Sequence, residues 1–153
     1  MESTMGDEAK NMAIMRRWFD GGVYGAASLD DALAFVDAHY APQGKAYGIG
    51  DAYLEGPAPF KGFVQAFLAA FEHRFEVQHM LAQGDLVFTH WTAKLTSRKD
   101  GRKAELLGGG LVRMENGQIV EAWNLINFLE LLEQFEEVPA AAVAQLFQKH
   151  AGA

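Results

Sequence analysis

The sequence predicts an α+β domain in which helices come first and an antiparallel sheet follows. Apolar residues up to Phe71 recur at the three- and four-residue spacing of amphipathic helices. From Arg74 to Phe128 they alternate with the two-residue period of strands. Within this second part, Asn116-Gly117 separates two strand-like runs and favours the type I′ turn of a tight hairpin. Helices and strands segregated in this way predict helices that cover one face of a sheet.

Length and composition predict one globular domain spanning residues 1–153. Hydrophobic residues make up 50% of the chain and charged residues 22%, which is typical of folded proteins. The sequence shows no repeat, low-complexity tract or linker. A formal net charge of -7 argues against a nucleic-acid partner, because phosphates require a basic surface.

The composition also limits the compartment and the chemistry. Charges interrupt the apolar stretches, so we expect no membrane span. Met1–Lys10 is polar and acidic, unlike a secretory signal, and the cytoplasm is the default location. The chain has no cysteine, which excludes disulfides, thiolate nucleophiles and cysteine-ligated metals.

Two helices are predicted at the start of the chain. Met5–Asp20 carries a broad apolar stripe and ends at Gly21-Gly22. The second helix starts at Ser28, whose side chain and Asp31 resemble a capping box, and Pro42 closes it. The glycine-rich segment 43–57 lacks periodicity, and we predict a loop there.

The third helix has the strongest pattern. It opens at Pro59, and its apolar residues recur at helical spacing to form a face directed at the core. The residues of this face are Phe60, Phe63, Val64, Phe67, Leu68 and Phe71.

Four strands in a meander should follow. The first two, Arg74–Leu81 and Leu86–Ser97, are joined at Gly84-Asp85, and Asp100-Gly101 marks the next turn. The last two are Leu106–Met114 and Gln118–Phe128.

The strand Leu106–Met114 contains three consecutive glycines, Gly108–Gly110. Glycine weakens a strand unless it bends or admits close contact, so these residues predict a strongly curved sheet. Leu129–Phe135 and a segment that begins at Pro139 are predicted to form short helices at the end of the chain.

The two-residue period groups candidate site residues on two strands. Trp123, Leu125 and Asn127 share one face, whose mixture of an aromatic and an amide is expected of a pocket wall. Phe88, His90, Thr92 and Lys94 share a face of Leu86–Ser97.

Several phrases of the sequence resemble the SnoaL-like polyketide cyclases of the nuclear-transport-factor-2-like (NTF2-like) superfamily. The matching phrases are Gly84-Asp85-Leu86-Val87, His90-Trp91-Thr92, Gly110–Met114, Asn116–Trp123 and Leu131-Leu132-Glu133-Gln134. The resemblance covers nearly the whole chain. It implies a cone in which a curved sheet is wrapped by N-terminal helices around an apolar cavity. It also implies a homodimer formed through the outer face of the sheet.

The resemblance also suggests roles for particular residues. Asn127 stands where the cyclases carry an acid/base aspartate, and an amide cannot transfer protons near neutral pH. It would orient a substrate or serve as a polar core residue. His90 and Thr92 stand where epoxide-hydrolase relatives carry catalytic residues, so His90 could be a general base. The alternative is a neutral histidine bonded to a neighbour or at the dimer face. Tyr47 stands at about the position where relatives often carry a histidine shortly after the second helix, so the resemblance suggests that a tyrosine supplies the hydrogen bond here.

Three functions follow as hypotheses. The first is a cofactor-free cyclase, isomerase or dehydratase acting on a small hydrophobic carbonyl compound, with His90 as base and Asn127 orienting the substrate. The second is a pocket that binds a small hydrophobic ligand without catalysis, and the third is a dimeric accessory module. The predicted substrate-binding residues are Trp123, Thr92, Tyr47, Phe88, Leu125 and Phe67.

The remaining histidines leave the site open. The sequence does not decide which of His39, His79 and His90 faces the cavity, whereas His73 and His150 are expected at the surface. No histidine pair at helical or strand spacing accompanies a carboxylate, so we expect no metal and no other cofactor.

Overall fold

The computed structural model describes residues 4–49 and 52–152. These residues form five α-helices and six strands, with a kinked turn at Trp18–Gly22 after the first helix. The helices are α1 (Thr4–Arg17), α2 (Leu29–His39), α3 (Pro57–Ala70), α4 (Phe128–Gln134) and α5 (Ala142–Ala151). The strands are β1 (Tyr40–Ile49), β2 (Ala52–Glu55), β3 (Phe71–Gln83), β4 (Leu86–Ser97), β5 (Lys103–Glu115) and β6 (Gln118–Ile126).

The six strands form one mixed sheet in the order β2-β1-β6-β5-β4-β3. The α+β class and the predicted cone are confirmed: the six-stranded sheet is curved and unclosed, and helices pack against one of its faces. The pairs β3–β4, β4–β5 and β5–β6 are antiparallel, as the predicted meander requires, whereas β1 runs parallel to β6.

The prediction of a loop over residues 43–57 is wrong. Within the described residues this segment forms most of β1 and all of β2. Its glycines hide any side-chain period, but Ala46 of β1 lies opposite Ala122 of β6. Backbone pairing with a strand far along the chain therefore makes this segment a strand, where local propensity does not.

Local turn and cap chemistry agrees with the sequence. Asn116 and Gly117 have φ values of 52° and 76°, and these two positive values confirm the tight turn between β5 and β6. The Ser28 hydroxyl accepts a 3.1 Å hydrogen bond from the Asp31 backbone N–H, which confirms the start of α2. The strand β4 has the predicted bounds.

Alternation along β4 defines the two faces of the sheet. Val87, Thr89, Trp91, Ala93 and Leu95 are buried against the helices, whereas the residues between them are more accessible. We call the helix-covered side the inner face and the opposite side the outer face.

Five apolar side chains from five strands line up on the outer face. Cross-strand pairing aligns Leu81, Phe88, Leu111, Trp123 and Tyr47, which we call the outer row. In a neighbouring position along the strands, Leu125 is 72% exposed. Such an apolar sheet face resembles an unpartnered interface more than a solvated surface.

The C-terminal helix α5 stands apart from this core. Its apolar residues Val143, Leu146 and Phe147 are all exposed. None of the helices in the described residues is long and apolar enough to cross a membrane.

Candidate ligand-binding cavity

An apolar cavity lies between the inner face of the sheet and the helices. It leaves about 50 Å³ open to the centres of water-sized molecules, which is room for a few waters. Its walls are mainly aromatic and aliphatic. They include Met15, Trp18, Phe60 and Phe63 from the helical side and Val112 and Ile126 from the strands.

A polar row crosses the cavity wall. Thr89 of β4 lies opposite Gly110 of β5, and Gly110 lies opposite Asn124 of β6. The Asn124 amide nitrogen donates a 2.9 Å hydrogen bond to the Tyr47 carbonyl. Its Oδ1 lies 3.7 Å from the point where a Cβ on Gly110 would be. The missing side chain of Gly110 therefore keeps open the space between the two polar residues.

Tyr40 supplies the most unusual polar group of the cavity. The residue is 2% exposed, and its hydroxyl has no hydrogen-bond partner among the described residues. Its ring stacks on Phe60, with centroids 5.3 Å apart. Burial, assisted by the neighbouring Tyr53, raises the pKa of Tyr40 to about 12. The phenol therefore stays protonated near neutral pH and can donate a hydrogen bond into the cavity.

An apolar groove adjoins the cavity and has a volume of about 250 Å³. Tyr24, Phe63, Trp91 and Ile126 line both spaces and form the partition between them. The outer part of the groove is built from α3, β3 and α4, including the predicted Phe67. Among the residues that the structure describes, no carboxylate, imidazole, ammonium or guanidinium group lines either space.

His73 is half-buried beside this groove, so its expected surface position is wrong. Its ring packs edge-on against Tyr24 at 5.8 Å and also contacts Phe67 and Phe75. Nε2 accepts a 3.0 Å hydrogen bond from the Gly25 N–H, so the neutral ring carries its proton on Nδ1, which is buried without a partner. Burial lowers the pKa of His73; the Phe71 backbone opposes this shift in part, and the Arg98 charge adds to it.

Of the positions left open for His90, the structure has the one outside the cavity: His90 lies on the outer face and is hydrogen-bonded to a neighbouring side chain. Its partner across the strands is His79, also on that face, at 3.0 Å between the Nδ1 atoms. Thr92 and Phe88 share the outer face with His90 through the two-residue period. Neither histidine therefore lines the cavity, and the third open candidate, His39, instead contacts the Gly117 carbonyl at 3.1 Å.

On β6, as on β4, the residues predicted to line the cavity lie on the outer face. Trp123 and Leu125 point outward, whereas Asn124, which belongs to the alternate set of residues, lies in the cavity wall. Tyr47 stacks on Trp123 and on Tyr53, also on the outer face. The two-residue period correctly grouped these residues on one face of the sheet. It did not show whether that face is the inner or the outer one, because the outer face also carries aromatic residues.

Asn127 has a structural position outside the cavity. It is exposed and forms the N-cap of α4, where its Oδ1 accepts a 3.1 Å hydrogen bond from the Glu130 N–H. Its Nδ2 donates to the Glu130 carboxylate at 2.8 Å. The side chain is thus engaged in starting a helix.

A signal in the sequence could have found the true cavity face. On β4 the outward set contains Lys94, and on β6 the outward set contains Glu121, whereas the alternate sets carry no charge. A charge marks the face that meets solvent. Tyr40 gave no such signal, because β1 itself was not recognised as a strand.

Comparison with known proteins fits this geometry. Residues 15–122 match the model of the SnoaL-like domain, SnoaL_2, over more than half of the chain. The chain belongs to the SnoaL-like domain family. No curated protein matches this member of the family in sequence.

Solved structures share the fold of this SnoaL-like chain at low identity. AclR, a proposed hydroxylase from Streptomyces galilaeus, is 20% identical with a TM-score of 0.73, covering 95% of this chain and 99% of its own. A proposed SnoaL-like polyketide cyclase from Jannaschia is 20% identical with a TM-score of 0.71, covering 86% and 95%. An LEH-like epoxide hydrolase from M. tuberculosis is 12% identical with a TM-score of 0.67, covering 91% and 98%. These likenesses show the fold alone.

Proposed function

We propose that this chain binds a small, uncharged, largely apolar molecule in its inner cavity, and that an oxygen of that molecule accepts a hydrogen bond from Tyr40. The observation that carries the proposal is the buried Tyr40 hydroxyl without a partner. An unpaired buried hydroxyl costs roughly 1–3 kcal/mol. A ligand carbonyl or hydroxyl recovers that cost while its carbon skeleton contacts the apolar walls.

The dimensions of the site support a ligand of modest size. The cavity alone holds only a few waters, but the groove beyond Trp91 is about five times larger. Together they reach the lower end of the range of roughly 300–1,000 Å³ for small-molecule pockets. The ligand would enter along the groove and displace the partition side chains, with its oxygen innermost. Two structural neighbours are named as a proposed SnoaL-like polyketide cyclase and an LEH-like epoxide hydrolase, and these names favour an oxygen-containing organic ligand.

The lining supports binding more directly than proton transfer. The roles proposed from the sequence for His90 as base and for Asn127 as substrate-orienting residue have no support in the cavity, since both lie outside it. A cofactor-free cyclase-type reaction is the second candidate, favoured by Tyr40. A phenol that donates to a carbonyl oxygen also stabilises an enolate. Because no basic side chain of the described residues lines the cavity or the groove, the proton of the adjacent carbon would have to pass to a water molecule held in the cavity.

We also propose a homodimer in which the outer row of one copy packs against that of a second. Five aligned strands give a row about 19 Å long, and it is flanked by exposed Leu107 and Leu125. A stable interface buries about 800 Å² per partner, so the outer row and these two leucines would form its apolar centre. A cytoplasmic location stays a prediction from the sequence.

A thermal-shift series tests the ligand. Uncharged hydrophobic ketones should raise the melting temperature more than hydrocarbons of the same shape, because a ligand that binds only the folded state stabilises it. Tyr40→Phe should abolish the difference between ketone and hydrocarbon. Tyr53→Phe is the matched control, since Tyr53 is 51% exposed, and it should behave as wild type.

Two outcomes separate the candidates. Equal ketone shifts in wild type and Tyr40→Phe would contradict the proposed hydrogen bond. Exchange of the α-protons of a bound ketone in D2O, followed by NMR, would establish the cyclase-type candidate, whereas binding without exchange would leave a binding protein.

A further inference from the structure

Two histidines meet edge to edge on the outer face, away from the cavity. The Nδ1 atoms of His79 and His90 are 3.0 Å apart, the ring planes differ by only 8°, and the ring centroids are 5.3 Å apart. The distance between the centroids exceeds the distance between the two nitrogens by about twice the radius of an imidazole ring. Both nitrogens therefore lie on the line that joins the two centroids. One nitrogen donates to the other, and the pair holds a single proton between the rings.

An irregularity of β3 produces this pairing. Val77 lies opposite Trp91, but the next pair is His79 with His90, so Gln78 is an extra residue in the strand. Before this bulge Val77 faces inward, and without it His79 would face inward as well. The Gln78 side chain donates a 3.1 Å hydrogen bond to Thr92 on the neighbouring strand, which fixes the bulge. The bulge therefore turns His79 toward His90.

We propose that His79 and His90 bind one divalent transition-metal ion through their Nδ1 atoms. Two nitrogens at about 2.05 Å from an ion are about 2.9 Å apart in adjacent square-planar or octahedral positions and about 3.3 Å apart in a tetrahedron. The separation of 3.0 Å is close to the first arrangement. The two lone pairs now point along the line that joins the nitrogens, so each ring must turn by roughly 45° to aim its lone pair at the ion. The ion then replaces the shared proton, and both rings carry hydrogen on Nε2.

The chemistry of the pair selects the ion. Imidazole nitrogen suits copper, nickel and zinc, whereas magnesium and calcium require oxygen ligands. In the part of the chain that the structure describes, no group of three His, Cys, Asp or Glu residues could share an ion. Water therefore completes the coordination, and affinity should follow the order Cu(II) above Ni(II) and Zn(II).

The position of the pair leaves it accessible. The strand β3 is the last in the sheet order, and the His79 side of the pair faces its open edge. His79 is exposed and His90 is half-buried. An ion can therefore reach the pair from the edge when the central strands are covered by a second copy.

Calorimetric titration of the purified protein with CuCl2 and NiCl2 tests the site. We expect one ion per chain with a Kd in the micromolar range, and two equatorial nitrogens in the copper EPR spectrum. His79→Ala and His90→Ala should each weaken binding at least about tenfold, because the second ligand of a chelate acts at high effective concentration. The double variant should lose the site altogether, because each single variant still keeps one imidazole ligand. His150→Ala, which removes an exposed histidine of α5, should match wild type.

Three results would overturn the proposal. They are the absence of saturable copper binding, unchanged affinity in either single variant at His79 or His90, and one ion per two chains. Far-UV circular dichroism and melting curves confirm that each variant is folded. None of these measurements depends on the ligand of the inner cavity.

Discussion

Tyr40 and His73 each bury a hydrogen-bonding atom without a partner among the described residues. The two groups differ in how their protonation depends on pH. The Tyr40 phenol stays un-ionised because burial and Tyr53 raise its pKa to about 12. The His73 imidazole has a lowered pKa, so the folded protein resists its protonation. One residue is therefore a constant donor, and the other makes stability depend on pH.

His73 should destabilise the protein in mild acid. Its folded pKa lies below the unfolded value of about 6.5, so the unfolded chain binds the proton more readily. The contribution is fully present above the unfolded pKa and is lost as pH falls toward the folded pKa. In urea denaturation between pH 7.5 and 5, His73→Gln should lose less stability than wild type does. Gln can still accept from the Gly25 N–H.

The exposed His150→Gln provides the control for this slope and should follow wild type. Carboxylates contribute their own pH dependence equally to all three proteins, so only differences between the curves matter. Parallel curves for wild type and His73→Gln would show that His73 is solvated.

Within single elements, glycine has two different uses in β5. A Cβ on Gly108 would lie 2.6 Å from Trp91 Cη2, so Gly108 gives room to the indole that divides cavity from groove. A Cβ on Gly110 would meet nothing closer than 3.6 Å and would extend toward the cavity. The first glycine serves packing, and the second keeps the site open.

Alanine substitution separates these uses. Gly108→Ala should destabilise the protein by roughly 1–3 kcal/mol, because the core cannot absorb the overlap with Trp91 without moving it. Gly110→Ala should change the free energy of unfolding by less than about 1 kcal/mol, yet it should weaken ketone binding. Chemical denaturation and thermal shift measure the two effects. Equal stability losses at both positions would contradict the separate uses. They would mean that the backbone conformation of β5, and not the overlap with Trp91, requires glycine.

The N-terminus of α4 depends on Asn127. Asn127→Ala should destabilise the protein by about 1 kcal/mol, since the cap to the Glu130 N–H is lost. Asn127→Ser keeps an oxygen acceptor and should retain most of that stability. Neither substitution should change the ketone-induced thermal shift, because Asn127 lies outside the cavity. A shift abolished in Asn127→Ser would return this residue to the binding site.

At the scale of the whole molecule, the sheet has two unlike faces. The inner face, with helices α1 to α3 over it, encloses the cavity, and the outer face presents the outer row without a cover in the single chain. If a second copy packs its outer row against this one, two-fold symmetry covers the outer rows of both copies at once.

Sedimentation at micromolar concentration should give twice the mass of one chain. Leu125→Glu should yield monomers, because a carboxylate would be buried beside the outer row of the partner. Leu132→Glu is the matched control, because Leu132 is a leucine of α4 that is 43% exposed and does not belong to the outer row, and this variant should remain dimeric. A wild-type chain that sediments as a monomer would contradict the interface.

Local patterns in the sequence determined most of the elements. The spacing of Phe60, Phe63 and Val64 marked α3, the Asn116-Gly117 pair marked the last hairpin, and alternation marked β4. Each depends on neighbours within a few residues, so no tertiary information is needed. Within segment 43–57, β1 pairs with β6, which lies about 75 residues away in the chain, and β2 pairs with β1.

The candidate site was decided by tertiary structure. Alternation assigned His90 and Trp123 to the right sets, but which set faces inward depends on where the helices pack. The phase of β3 depends on a bulge after Val77, and that bulge brings together His79 and His90 from separate strands. The sequence by itself determined the family, the helices and the strand order of the meander. A period of two fixes pairs of faces and not which one is buried, so alternation alone could not place Asn124, although the charge of Glu121 on the opposite set marks the outer face. For Tyr40, only the packing of the helices against one face of the sheet determined that it lines the cavity.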